Sequence, residues 1–225
     1  NATDLSISES GSTYDADGDG TTLTYEWFRD GVSIQNGSTQ TLSSSLFWRG
    51  QTIELKVHLS DGTNWNGTLK TDSVSVVNSL PSISTVEIAE DPAYTLDTLT
   101  LTITGWTDID DDTPQYTYRW FKNDIEIGGE TGATLSSSNF VKGDVIICEV
   151  TPFDAYGNGS PVNSSGRTIS NTAPWWDDYS VSIVESPVYN ATDLSISESG
   201  STYDADGDGM TRTYEWFRDG VSIQN

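Results

Sequence analysis

Cysteine, histidine and methionine each occur once in these 225 residues, as Cys148, His58 and Met210. One cysteine excludes an internal disulfide. With one histidine, and no nucleophile elbow, Gly-rich phosphate loop or zinc-ligand spacing, the usual signatures of catalysis are missing. Basic residues are scarce as well: 10 Lys and Arg stand against 34 Asp and Glu, for a net charge of −24. Such a chain repels phosphates, which argues against nucleic acid or anionic membranes as partners. No apolar run is long enough to span a bilayer, and no signal-peptide pattern is present.

What the sequence does contain is repetition, the first thing to establish in any chain. Residues 1–36 and 190–225 differ only at Thr21/Met210 and Leu23/Arg212. A weaker copy lies between them. "TYEWFRDG" at 24–31 matches "TYRWFKND" at 117–124, and "TLSSS" at 41–45 matches 134–138. Gly50, Asp61 and Asn78 match Gly143, Asp154 and Asn171 at the same spacing of 93, while Pro92 and Tyr94 match Pro187 and Tyr189 at 95. A period of 189 therefore holds two diverged units, each the size of one small sandwich domain. The expected division is 1–79, a domain lacking its first strand; 80–173, a complete domain; and 174–225, the start of a third. Beginning and ending inside units, the sequence reads as a window from a longer array. An alternative expectation is that the tail of one molecule completes the head of the next, in which case only residues 174–189 bring strands the head does not own.

Within 80–173 the apolar residues alternate. Val86 and Ile88, then Leu99, Leu101 and Ile103, then Tyr116, Tyr118 and Trp120, then Ile146, Cys148 and Val150 each line one face of a short run. Period two with Gly, Asn, Asp and Pro between the runs predicts antiparallel strands with one buried face, and nothing shows a helical period. Cys148 stands where the first unit has Leu55, so it is expected in the core as a small hydrophobe. Trp27, Trp120 and Trp216 are expected inside. Trp65, Trp106, Trp175 and Trp176 fall in loops or linkers.

Seven short strands with an inward Trp on the third are the sandwich pattern. The motifs "TDIDDDTPQYTYRW" and "DADGDGTTLTYEW" resemble the repeated immunoglobulin-like, PKD-like and cadherin-like domains of prokaryotic cell-surface proteins. Two departures stand out: the second strand lacks the antibody-type cysteine, and the Gly-Asp signature of a PKD domain after the Trp is missing. The resemblance implies an all-β chain of tandem immunoglobulin-like antiparallel β-sandwich domains, at an extracellular or cell-surface location.

The stretch "STYDADGDG" occurs at 12–20 and 201–209. Asp15, Asp17 and Asp19 alternate in the first copy and Asp204, Asp206 and Asp208 in the last, while Asp108, Asp110 and Asp112 hold these places in the middle unit. Alternating carboxylates repel unless a cation sits among them, and hard oxygen donors suit Ca²⁺. An EF-hand is rejected, because the twelfth position is Glu26 on a predicted strand in one unit and Arg119 in the next. In a sandwich the loop joins the second and third strands, and the loop carrying Asp61 or Asp154 sits at the same end. A cation bridging the two loops is one reading. An Asx-turn, in which Asp and Gly only shape the loop, is the other.

These residues bear on three possible functions. A structural segment of an exported fibre, stalk or surface layer fits the tandem units and their short Pro-containing linkers, with neighbouring repeats or copies of itself as partners. An adhesin-type module recognising a glycan or protein would use the loop tryptophans. An enzyme is disfavoured: His58 is replaced by Thr151 in the second unit, and the carboxylates recur per unit rather than as one catalytic pair. Six Asn-x-Ser/Thr sequons, at Asn1, Asn36, Asn66, Asn158, Asn163 and Asn190, permit glycosylation of an exported protein.

Overall fold

In a computed structural model the regular secondary structure is almost entirely β-strand, and the structure describes residues 3–63 and 69–224. Trp65 and the sequons at Asn1 and Asn66 lie outside the described residues. Two compact units form: residues 1–83 with 105–116 and 152–160, and residues 84–104 with 117–151 and 161–225.

In the first unit a four-stranded antiparallel sheet places Thr22–Arg29 between Val32–Gly37 and Thr52–Ser60, with Lys70–Ser75 at the edge. Alternation sends Tyr25, Trp27, Ile53 and Leu55 inward, where they meet Leu42 from the short pair formed by Leu5–Ser6 and Thr41–Leu42. Asp30 and Gly31 both have positive φ (49° and 81°), the two-residue turn that matches strand twist in a hairpin. Asn123–Asp124 and Asp219–Gly220 repeat it, so "FRDG" and "FKND" are hairpin turns as their sequences suggest.

The second unit carries the fuller pair of sheets. One runs Thr134–Leu135, Leu99–Thr104, Thr85–Ile88. The other runs Ile125–Glu126, Gln115–Lys122, Val145–Phe153, Arg167–Ser170 and Ala93–Tyr94, the last pair parallel. The chain thus crosses from one sheet to the other between Ile88 and Ala93, the immunoglobulin-like arrangement. Val86, Ile88, Leu99 and Leu135 from one sheet and Trp120, Ile146, Cys148, Val150 and Ile169 from the other are all buried. The repeated "TLSSS" ends in a single 3₁₀ turn capped by Ser43 or Ser136, whose hydroxyl accepts from the N–H two residues on.

Trp216 departs from its expected place in the core and is half-buried. Trp175–Trp176, expected in a linker, forms a two-residue strand paired with Thr202–Tyr203. Cys148 is fully buried, as its alignment with Leu55 implied. Its desolvation pushes the thiol up to about 12, the N–H of its own backbone being held by Ser164 Oγ at 3.0 Å. Because only the thiolate reacts, alkylation should be negligible in the native protein at pH 8 and complete once denaturant is added. Native labelling at the rate of a free thiol would place Cys148 outside the core.

Candidate functional site: the aspartate loops

The three acidic loops share one local device. Asp15 Oδ1 accepts from the N–H groups of Asp17 (2.9 Å) and Asp19 (3.2 Å). Asp204 Oδ1 does the same with Asp206 (2.9 Å) and Asp208 (3.1 Å), and Asp108 Oδ1 accepts from Asp110 N–H at 2.7 Å. The first aspartate therefore folds the loop as an Asx-turn. The fourth loop position is left-handed in all three, with Gly18 at φ 85°, Gly207 at 73° and Asp111 at 60°. Asp is among the few residues with a side chain that tolerate this region, so the missing glycine does not change the loop's path.

The second and third aspartates reach outward. In the first unit Asp110 Oδ2 accepts from Ser79 N–H at 2.7 Å, and Asp112 forms a two-point pair with Arg49, whose second contact (Nη2 to Oδ1) is 3.1 Å. In the second unit Asp206 Oδ2 accepts from Thr172 N–H, and both oxygens of Asp208 accept from Lys142 Nζ. Arg49 and Lys142 each also donate to an asparagine, Asn78 or Asn171. Each asparagine in turn donates to the carbonyl of the next residue, at 3.0 Å. Arg49/Lys142, Asn78/Asn171 and Ser79/Thr172 are all 93 residues apart. One latch is thus built twice, from a cation, an asparagine and a backbone N–H.

Each cation gains from this. Hydrogen bonding to Asp112 raises Arg49 above the ordinary guanidinium value, and hydrogen bonding to Asp208 raises Lys142. Asp206 is lowered, first by Thr95 Oγ1 and further by Thr172 N–H and Lys142.

Asp154 adds a fourth carboxylate in the first unit. It is 5% exposed, accepts from Tyr156 N–H (2.6 Å) and Gly157 N–H (2.7 Å) on Oδ1, and from Asn78 Nδ2 (2.8 Å) on Oδ2. Burial pushes this carboxyl up, but Asn78, the two N–H groups and the charge of Arg49 outweigh burial and hold it below the ordinary value. Arg49 also lies over the Tyr156 ring at 4.3 Å.

Oxygens of Asp108, Asp112 and Asp154 lie within 4.8 Å of one another, as do those of Asp204, Asp206 and Asp208. The two loops expected at one end of the sandwich do meet. Asp110 faces Ser79 instead of that first group. No such group among the described residues includes Asp15, Asp17, Asp19 or Asp61, and Asp61 Oδ1 accepts from Thr63 N–H at 2.7 Å. Asp108 Oδ2 is buried and has no hydrogen-bond partner. Sequence reasoning missed Arg49 and Lys142. Their signal was a basic residue directly before the matched Gly50 and Gly143, in a chain with only 10 Lys and Arg.

Of the remaining candidates, Asn36, Asn158, Asn163 and Asn190 are exposed, as glycosylation would need. His58 Nε2 lies 3.4 Å from Glu26 Oε2. Trp106 meets Tyr116 edge-on at 5.6 Å, and Trp176 stacks on Tyr179 at 4.5 Å.

No family model matches the sequence, and no curated protein is similar to it. Among solved structures, a two fibronectin type-III domain segment from chicken tenascin is similar, with 11% identity and a TM-score of 0.35 over 73% of this chain and 90% of that one.

Proposed function

We propose that the chain is a structural repeat segment of a long extracellular or cell-surface protein, a fibre, stalk or surface layer. The observation that carries this reading is the twofold latch. Where an acidic loop follows a sandwich, its second aspartate takes a backbone N–H and its third takes a cation placed one residue before a matched glycine. A device repeated with the sequence period serves the array rather than one binding event.

Calcium belongs to this proposal as a second stiffener. The donors at Asp108, Asp112 and Asp154 are all oxygen, and the buried Oδ2 of Asp108 lacks a hydrogen-bond partner. Both suit a hard cation. Arg49 already neutralises Asp112, so metal and guanidinium compete for one carboxylate.

With a Kd of about 10⁻⁴–10⁻³ M, usual for extracellular modules, about 10 mM Ca²⁺ should stabilise by about 1.4–2.7 kcal/mol through mass action. Asp108→Asn should remove the effect. Arg49→Ala should lower the metal-free melting temperature and enlarge the calcium response, because Asp112 is released to the metal. Calorimetry with and without EDTA measures both. A response to calcium absent in the parent and in Arg49→Ala alike would leave the latch as the sole stiffener.

The adhesin reading is supported by exposed tryptophans, above all Trp176 at 61%. It is weaker, because Trp176 already stacks on Tyr179 and Trp175 lies tilted against Tyr203.

A further inference from the structure

Charge is spread unevenly over this acidic chain. Of its 34 Asp and Glu, five lie in the strands of the four-stranded sheet of the first unit and the larger sheet of the second, against six of its 10 Lys and Arg. The remaining acid lies mostly in the loops, so these two sheets are close to neutral.

Their outward faces carry one arrangement with its polarity reversed. Alternation with buried Tyr25, Trp27 and Leu55 turns Glu26, Phe28 and Lys56 outward, and Glu26 stands opposite Lys56 in register. At the repeat spacing of 93, buried Trp120 and Cys148 turn Arg119, Phe121 and Glu149 outward, and Arg119 Nη1 donates to Glu149 Oε1 at 2.9 Å. Glutamate thus becomes arginine and lysine becomes glutamate at matched positions, while phenylalanine stays. In both units the cation covers that ring. Lys56 Nζ lies 4.1 Å from the Phe28 centroid, and Arg119 Cζ lies 5.2 Å from that of Phe121. In the second unit, where both sheets are formed, the side chains of Arg119 and Glu126 are still 51% and 48% exposed, so no strand of the sandwich covers this face.

We propose that these are lateral docking faces, and that the occupant of the Glu26/Lys56 face is the Arg119/Glu149 face of a second copy of the chain. With the strands of the two copies antiparallel, Glu26 meets Arg119, Lys56 meets Glu149, and the two phenylalanine rings flank the four charges. In the same alignment two copies of either face would set like charge on like, which is unfavourable. The chain's net charge of −24 makes copies repel. At about 0.15 M salt, however, charges more than about 8 Å apart are largely screened, whereas the four facing charges are in contact and attract. A basic partner would be drawn to the acidic loops instead. The face that fits a neutral sheet with ordered opposite charges is one with the order reversed, and the other unit carries it. Four strands of about eight residues measure roughly 20 Å by 27 Å, less than the roughly 800 Å² per partner of a tight complex. The single contact is therefore weak and is strengthened by repetition along an array. Such a contact gives the proposed fibre or layer its side-by-side packing and rests on that reading.

Charge exchange within each face tests this with the intact chain, in EDTA so that failure leaves the latch and its calcium response untouched. One variant carries Glu26→Lys with Lys56→Glu, a second carries Arg119→Glu with Glu149→Arg, and a third carries all four. Each keeps the net charge and an opposite-charge pair across the two strands, so each should melt close to the parent. Sedimentation equilibrium up to about 1 mM, the range of weak contacts of this size, should show the parent associating. Either exchange alone should weaken association at least tenfold, because like charges then face each other. The fourfold variant should restore association to within about threefold of the parent, since both faces are reversed together. A parent that stays monomeric to about 1 mM overturns the docking faces. Association that survives either single exchange, or a fourfold variant that stays as weak as the single exchanges, overturns the pairing of the Glu26/Lys56 face with the Arg119/Glu149 face.

Discussion

Replacing Trp120 by Ala is expected to cost about 3–5 kcal/mol of stability, the range for emptying a large aromatic site in a packed core. The side chain is fully buried in a strand flanked on both sides within its sheet, so the surrounding backbone has little freedom to collapse into the void. A second cost adds to the cavity. Trp120 Nε1 donates to Gly132 O at 2.9 Å, and truncation leaves that carbonyl without its donor. Trp27, its counterpart in the first unit, is 4% exposed but its Nε1 has no hydrogen-bond partner. Trp→Phe therefore separates the two contributions: at Trp120 it should cost about 1 kcal/mol more than at Trp27. Urea unfolding followed by circular dichroism measures both, with the midpoint falling at constant slope. A loss under about 1 kcal/mol in Trp120→Ala would mean that the inward face of Gln115–Lys122 has been misidentified.

That face was legible because strand physics is local. Side chains alternate every residue, so Ile146, Cys148 and Val150 announce a buried face in six residues of sequence, and Asp30–Gly31 announces its hairpin in two. The aspartate loops were half legible. Their Asx-turns are formed by neighbours two to four residues apart, within reach of a motif. Their latches are not: Arg49 and Asp112 are separated by 63 residues and Lys142 and Asp208 by 66. Repulsion among alternating carboxylates demands positive charge, and no local rule says whether a metal or a side chain supplies it. A comparison at the repeat spacing would have found the side chains, since the basic residue before Gly50 recurs before Gly143. Two-residue strands such as Trp175–Trp176 are invisible for a related reason, being defined only by their distant partner Thr202–Tyr203. Trp216 carries the same local pattern as Trp27, yet only the latter is buried, because burial also needs a facing sheet.

Gly159→Ala should be the most damaging single methyl in the first unit, at about 3 kcal/mol, the upper end of overpacking costs. A Cβ on Gly159 would stand 1.9 Å from the carbonyl oxygen of Pro81 and 3.0 Å from Pro152 Cγ. Both prolines are fully buried, and the nearer obstacle is backbone, which cannot swing aside as a side chain can. Relief has to come from the turn that carries Gly159. That turn is held by Gly159 N–H to Pro152 O at 2.8 Å and Asp154 N–H to Gly157 O at 3.0 Å, so displacing it displaces Asp154 as well. The carboxylate would then leave Asn78 and part from Asp108 and Asp112. Gly128→Ala is the matched control, since its Cβ meets nothing within 4 Å and its φ is not in the left-handed region. It should lie within about 0.5 kcal/mol of the parent. Thermal unfolding with and without calcium reads both consequences at once: Gly159→Ala should lose stability and most of any calcium response, while Gly128→Ala keeps both. Equal stability of the two variants would show that Pro81 and residues 152–159 do not pack as described, and a calcium response retained by a destabilised Gly159→Ala would remove Asp154 from the cation site.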